Sequence, residues 1–181
     1  MRWLLVCGCL IGCARDPVDA VCPEIDEGAL VVTEVRGPQD DQDGPWIEMF
    51  NASGATIDLA GTKIRFRRKD GSSEIPVLVR RSLTVGAGEY TVLGLFFDAD
   101  IPAHVDYGFL DDFEGSWLAA AAIDVETCGA RVDLATYDAL PAGGTYSLGV
   151  APDADANNLP ASWCTDVTVA GTPGAANNAC P

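Results

Sequence analysis

Trp46-Ile47-Glu48-Met49-Phe50-Asn51, running on into Ala52-Ser53-Gly54-Ala55-Thr56-Ile57-Asp58-Leu59-Ala60-Gly61, is the stretch on which the reading of the fold turns. Ile47, Met49, Ile57 and Leu59 alternate with Glu48, Phe50 and Asp58, the period of two expected of strands with one face on a core. Asn51 to Gly54 supply the reversal, because Asn and Gly tolerate positive φ and Ser can bond to its own backbone. The stretch predicts a hairpin or a tight β-arch.

Working outward, Ala29-Leu30-Val31-Val32-Thr33-Glu34-Val35-Arg36 is a β-branched apolar run closed by Gly37-Pro38, and it predicts a buried strand. An acidic loop, residues 39–45, separates it from Trp46. Downstream, Lys63 to Arg67 alternates cleanly, residues 68–73 turn, and Glu74 to Val79 returns. Pro76 cannot donate to a ladder, which puts that strand at an edge or a bulge. Leu83 to Gly94 predicts a short strand, a glycine turn and a longer strand. The pairing of residues 95–115 is not legible, and Trp117 to Ala122 is compatible with a helical turn. Ala130 to Thr136 and Thr145 to Val150 are the last clear strands. Short strands with frequent turn signals and no sustained helical period indicate an all-β sandwich.

The pattern of Val31-Val32-Thr33-Glu34-Val35, a short loop, Trp46 to Asn51 and Ile57-Asp58-Leu59-Ala60-Gly61 resembles the lamin tail domain, an immunoglobulin-like β-sandwich of nuclear lamins and bacterial envelope proteins. Gly171-Thr172-Pro173-Gly174-Ala175-Ala176-Asn177 is similar to that family's closing motif. The resemblance implies an immunoglobulin-like domain over residues 29–181. It also makes Glu34, Trp46, Glu48, Asn51, Gly61, Gly171, Pro173, Gly174 and Asn177 determinants of the fold, and it makes Trp117 to Ala122 strand and turn.

The ends of the chain speak to compartment. Met1-Arg2 followed by the uncharged run Trp3 to Gly12 reads as a signal peptide over residues 1–12, too short to span a bilayer. Leu10-Ile11-Gly12-Cys13 resembles the bacterial lipobox, which implies lipidation of Cys13; ordinary secretion with Cys13 a spare thiol is the alternative. Ala14 rather than Asp after that cysteine implies, by resemblance to lipoprotein sorting in double-membraned bacteria, a lipid anchor in the outer membrane. Residues 13–28 carry prolines and acidic residues that oppose helix and sheet alike, and they form a tether. The formal net charge of −16 repels nucleic acid and anionic lipid and disfavours a nucleic-acid partner.

With Cys7 and Cys9 removed with the signal and Cys13 acylated, Cys22, Cys128, Cys164 and Cys180 remain, an even set that implies two disulfides in an exported chain. Cys164 and Cys180 bracket the closing motif, a long irregular segment in need of restraint, so the favoured pairing is Cys164 with Cys180 and Cys22 with Cys128. A zinc site is disfavoured, since no Cys-x-x-Cys pair survives processing and His104 is the only histidine.

Chemistry is sparse. His104 has no nucleophile elbow to serve, and Asp111, Asp112 and Glu114 read as a solvated turn among glycines. No cofactor is implied. Asp153, Asp155 and Asn157 reproduce the first alternating oxygens of a calcium loop. The pattern then fails, with Asn158 where glycine belongs and Cys164 where the bidentate Glu belongs. Asp40, Asp41 and Asp43 are a looser candidate. Lys63, Arg65, Arg67, Arg68 and Lys69, with Arg80 and Arg81, hold seven of the eleven basic residues. This stripe is either an anion-binding surface, for lipopolysaccharide or extracellular DNA, or the charge that protects an exposed sheet edge. The expected function is a non-catalytic, lipid-anchored envelope module that contacts a protein, a polysaccharide or another anionic polymer. The alternative is an exported hydrolase, or an accessory module of one, using loop carboxylates; its test residues are Asp111, Asp112 and His104.

Overall fold

The computed structural model describes residues 21–168 and 170–181; the expected signal peptide, Cys13 with its lipobox, and the first part of the tether lie outside the described residues. In chain order the strands are β1 (Leu30–Arg36), β2 (Trp46–Asn51), β3 (Ile57–Asp58), β4 (Lys63–Arg67), β5 (Ile75–Leu78), β6 (Thr84–Val85), β7 (Tyr90–Gly94), β8 (Tyr107–Gly108), β9 (Ala121–Thr127), β10 (Ala130–Tyr137), β11 (Thr145–Leu148) and β12 (Trp163–Asp166). A six-stranded sheet runs β12-β11-β1-β2-β7-β8, a four-stranded sheet runs β10-β9-β4-β5, and β3 pairs with β6. Helix is confined to one turn at Pro160–Ser162 among the described residues. The described residues are all-β apart from that turn, as the alternation predicts.

The apolar core lies between the two larger sheets. Leu30, Val32, Val35, Ile47 and Met49 from one meet Ile64, Phe66, Val77, Ile123, Val125 and Val132 from the other. One end is closed by Phe66, Phe109, Phe113 and Trp117, whose rings lie 5.2 to 6.4 Å apart.

Several expectations are sharpened or corrected. The Trp46 to Gly61 stretch is an arch and not a hairpin: β2 pairs with β1 and β7, whereas β3 crosses to β6. Asn51 organises the arch by donating to Ala55 and Val85 carbonyls at 2.8 and 2.9 Å and accepting from Ser53. The alternation in β2 is also not core against solvent. Trp46 and Glu48 are as fully buried as Ile47 and Met49, because Trp46 packs with Val92 and Val105 on the outer face of the sheet. The short strand β6 does not return onto β7. The strands β9 and β12 were not legible, and Trp117 to Ala122 leads into β9 without a helical turn.

Both disulfides form as expected, Cys22 with Cys128 and Cys164 with Cys180. The tether joins the body early. Ile25 is buried with the core, and Gly28 N–H donates to the Val132 carbonyl at 2.8 Å. At Gly61 the chain takes φ of +87° and passes so close to Val21 that a Cβ would sit 2.2 Å from its carbonyl oxygen, which explains a glycine there.

Candidate functional site

Of the residues singled out in the opening and closing motifs, Glu34, Glu48, Gly171, Pro173, Gly174 and Asn177 come together in one place, whereas Asn51 holds the arch, Gly61 meets Val21 and Trp46 packs with Val92 and Val105. A register shift between Val32 and Glu34 turns Glu34 to face Glu48 directly across the β1–β2 ladder. Both carboxylates are fully buried and acquire donors from the closing segment. Glu34 accepts from the Thr145 hydroxyl, from the Ser147 hydroxyl at 2.8 Å, and from Thr172 N–H at 3.2 Å. Glu48 accepts from the Thr33 hydroxyl and from Gly174 N–H, each at 2.7 Å. Asn177 completes the clamp by donating to the Thr33 and Leu148 carbonyls at 2.7 and 3.2 Å. Pro173 sits between the two donors, at a position that has no N–H to satisfy.

Burial raises the Glu34 carboxyl above its ordinary range, opposed first by Thr145 and Ser147. Burial pushes Glu48 up to about 8, opposed by the Thr33 hydroxyl and reinforced by the neighbouring Glu34. Glu34 has more donors and keeps its charge more readily, so Glu48 is the carboxyl of the pair that is protonated at neutral pH. A second buried carboxylate links the two sheets. Asp133 of β10 accepts from Val32 N–H and from Asn157, both at 2.7 Å, and burial pushes it up to about 6.

The basic stripe lies on the outer face of the four-stranded sheet, where Lys63, Arg65 and Arg67 alternate with buried Ile64 and Phe66 as predicted. It is met there by an acidic row. Arg67 grips Asp124 through Nε and Nη2, and Arg65 reaches Glu126 and, at 3.2 Å, Glu74. Lys63 lies 3.5 Å from Glu74, and Lys69 lies 2.5 Å from Asp138. Arg68 is exposed in the β4–β5 turn, where its charge lowers the Asp70 carboxyl secondarily to the Ser72 hydrogen bonds. Further along, Arg80 forks onto Asp112 and Arg81 onto Asp98. The sequence reading missed Asp124 and Glu126 because it did not assign β9, although Asp-Val-Glu-Thr carries the period-2 signal.

The acidic loop before Trp46 is organised from inside. Arg36, fully buried on β1, donates to the Gly44 carbonyl at 2.7 Å, to Gln39 at 3.1 Å and to Asp41 at 2.6 Å, and holds the Asp41 carboxyl below its usual range. A guanidinium therefore already stands beside Asp41 and Asp43, at 2.6 and 3.8 Å, where a cation bound by this loop would have to lie. In the other calcium candidate Asp153 caps its own turn through Asp155 and Ala156 N–H, Asp155 is exposed, and Asn157 faces inward to Asp133 and Val32. Among the described residues no three His, Cys, Asp or Glu side chains are placed to hold a metal.

The residues of the hydrolase alternative either engage separate partners or face solvent. His104 Nε2 lies 3.0 Å from the Asp43 carbonyl oxygen, and its ring meets the edge of Phe96. Asp112 is buried against Arg80 and Leu78 N–H, while Asp111 and Glu114 are exposed. No family model matches the chain, and no curated protein matches it.

Proposed function

We propose that the chain is a non-catalytic contact module of the cell envelope, an immunoglobulin-like sandwich of the lamin tail type held at the outer membrane by a lipid on Cys13. The observation that carries this reading is the clamp: the opening and closing motifs, far apart in sequence, bond to each other through Glu34 and Glu48, and their polar groups are spent on holding the domain together. The two disulfides support an oxidising compartment. The pairing of the basic stripe favours a protein partner over an anionic polymer, because cations already matched by Asp124, Glu126, Glu74 and Asp138 offer little net field.

The test is the intact and reduced mass of the chain isolated from membranes. A mature chain that begins at an acylated Cys13 is expected; one with Cys13 unmodified or retained in a longer leader refutes the anchor. Hydrolytic activity that disappears on changing Asp111, Asp112 or His104 would refute the non-catalytic reading.

A further inference from the structure

The two disulfides differ in access. Cys164–Cys180 is half-buried. The Ser162 carbonyl oxygen lies 3.8 Å from Cys180 Sγ, and the Gly149 backbone covers the same sulfur so closely that a Cβ there would sit 2.1 Å from it. Cys22–Cys128 is exposed at both of its residues. Ala130 pairs with Thr127, so Cys128 and Gly129 are the central residues of a tight turn, and both take positive φ, +53° and +80°. Asn or Gly is usual at the first of these positions, whereas Cys is held there in a left-handed conformation that its Cβ disfavours. Gly129 and Ala130 are exposed as well, and nothing lies within 4 Å of a Cβ built on Gly129. The turn therefore presents Cys128 at one end of the sandwich, open to the approach of another thiol.

On the other side of the bond lies a strap, residues 22–28. Its one buried side chain is Ile25. Pro23 rests against Gly61, Gly28 N–H donates to the Val132 carbonyl at 2.8 Å, and Ala29 N–H turns back to the Asp26 carbonyl at 3.1 Å. Glu24, Asp26 and Glu27 are exposed and of like charge. One buried isoleucine and one described main-chain bond to the body fall short of the conformational entropy of the ordered strap, so the covalent link to Cys128 is what holds it down.

We propose that Cys22–Cys128 is a thiol–disulfide exchange site for an exported dithiol protein, and that its opening releases residues 22–28 while the sandwich stays folded. A thiolate of the dithiol bonds to Cys128 Sγ, the bond between Cys22 and Cys128 breaks, and Cys22 leaves as the thiolate. The second thiol of the dithiol then displaces Cys128, so that the dithiol is oxidised to its own disulfide and the chain keeps two thiols. Cys164–Cys180 stays closed and continues to hold the closing segment. Where Cys13 carries the anchor proposed above, the step moves the first fixed point of the chain from Cys22 to the start of β1 and lets the domain stand further from the membrane; only this consequence rests on that reading.

The experiment treats the full chain, isolated from membranes in detergent, with a thioredoxin-type dithiol protein in the absence of denaturant. Free thiols are alkylated and mapped by mass spectrometry, and amide hydrogen exchange is followed in parallel. Cys22 and Cys128 should open about tenfold faster than Cys164 and Cys180 or more, because access sets the rate of exchange. Exchange at Gly28 and Ala29 should then rise by on the order of tenfold, while the facing β4 and β9 residues Ile64 and Val125 stay protected. Reoxidation should restore the strap, and Cys22→Ser with Cys128→Ser should show the pattern of the reduced chain with no dithiol added. A Cys22–Cys128 bond that stays closed, or that opens no faster than Cys164–Cys180, overturns the proposal. Protection of Gly28 and Ala29 that survives reduction overturns it too, as does loss of protection at Ile64 and Val125 along with the strap. None of these readouts involves Cys13, so an unmodified Cys13 would refute the anchor and leave the exchange site standing.

Discussion

Glu48→Gln tests the physics of the clamp. Glu48 is fully buried, faces Glu34 on the adjacent strand and lies near Tyr90 of β7. Its folded pKa is pushed to about 8 from an ordinary 4.5. A carboxyl whose folded pKa is raised binds a proton on folding, so stability is full at low pH and falls as pH rises from 4.5 through about 8. At about 1.4 kcal/mol per pH unit of difference, ionised Glu48 opposes the fold by roughly 3–5 kcal/mol at high pH. Gln is a near-isostere of the protonated acid and cannot ionise. Urea unfolding across pH 5 to 9 should show the wild type losing stability above pH 7 and Glu48→Gln staying level there. The variant should be equal to or slightly below wild type near pH 5 and above it by several kcal/mol at pH 9. Asp133 and Glu34 give slopes of the same sign, but Asp133 has its midpoint near 6 and its contribution fades by about pH 7, so the comparison with Glu48→Gln is read between pH 7 and 9. If Glu48→Gln is destabilised by more than about 2 kcal/mol at pH 6, or keeps the wild-type slope above pH 7, the carboxyl is ionised in the fold and the reasoning fails.

Three further outcomes follow from the same geometry. Arg67→Ala leaves the buried Asp124 with only the longer contact to Arg65 at 3.7 Å and should lower stability by about 2–3 kcal/mol in urea unfolding, whereas Lys69→Ala, at an exposed pair, should cost less than about 1 kcal/mol; equal effects would refute the distinction. Gly171→Ala should cost about 2–4 kcal/mol, because φ there is +72° and a Cβ would lie 2.7 Å from Glu34 Oε1; a neutral result by thermal denaturation would show that the closing segment is loosely held. Replacing Cys164 and Cys180 by Ser opens a loop of 16 residues and should remove about 3 kcal/mol, with limited proteolysis then cutting first beyond Asp166.

The fold was legible where one strand face determines residue choice. The core strands β1, β4 and β10 declared themselves through β-branched runs or clean alternation, and Pro76 announced an edge. The reading failed where both faces are buried. In β2 the alternation of Ile and Met with Glu and Phe looked amphipathic, yet Glu48 is enclosed, because its neighbours on the outer face come from 126 residues away. The basic stripe was located correctly on one face of β4. Its neutralisation was invisible, because Asp124 and Glu126 belong to a strand that is paired to β4 only in three dimensions. Arg36 gives no signal of its role for a similar reason: it ends a buried strand, and the acidic loop that folds back over it is brought there only in three dimensions.

These buried acids explain why the two motifs occur together. The closing segment is irregular, so Thr172 and Gly174 N–H groups cannot find a ladder, and a buried N–H without an acceptor costs about 1–3 kcal/mol. An aliphatic residue at position 34 or 48 would pack on the sheet but leave those donors, with the hydroxyls of Thr33, Thr145 and Ser147, facing apolar surface. A carboxylate on a central strand offers up to four acceptor sites in one direction, which is what a cluster of N–H and O–H donors needs. Two ionised carboxylates side by side would repel, and protonation of Glu48 removes that repulsion while leaving Glu34 to hold the larger set of donors. The opening motif therefore requires the closing one: without Thr172 and Gly174 laid across them, Glu34 and Glu48 would lose main-chain donors that offset their burial. Glu34→Gln, unlike Glu48→Gln, should then be destabilising near neutral pH, by about 2–3 kcal/mol, because an amide nitrogen cannot accept from the donors that strand β11 and the closing segment aim at Glu34, and the deficit should shrink toward high pH, where ionisation of the raised Glu34 carboxyl weakens the wild type. The two Gln variants showing the same unfolding profile from pH 5 to 9 would mean that the carboxylates share their roles, and the division of labour argued from their donors would be wrong.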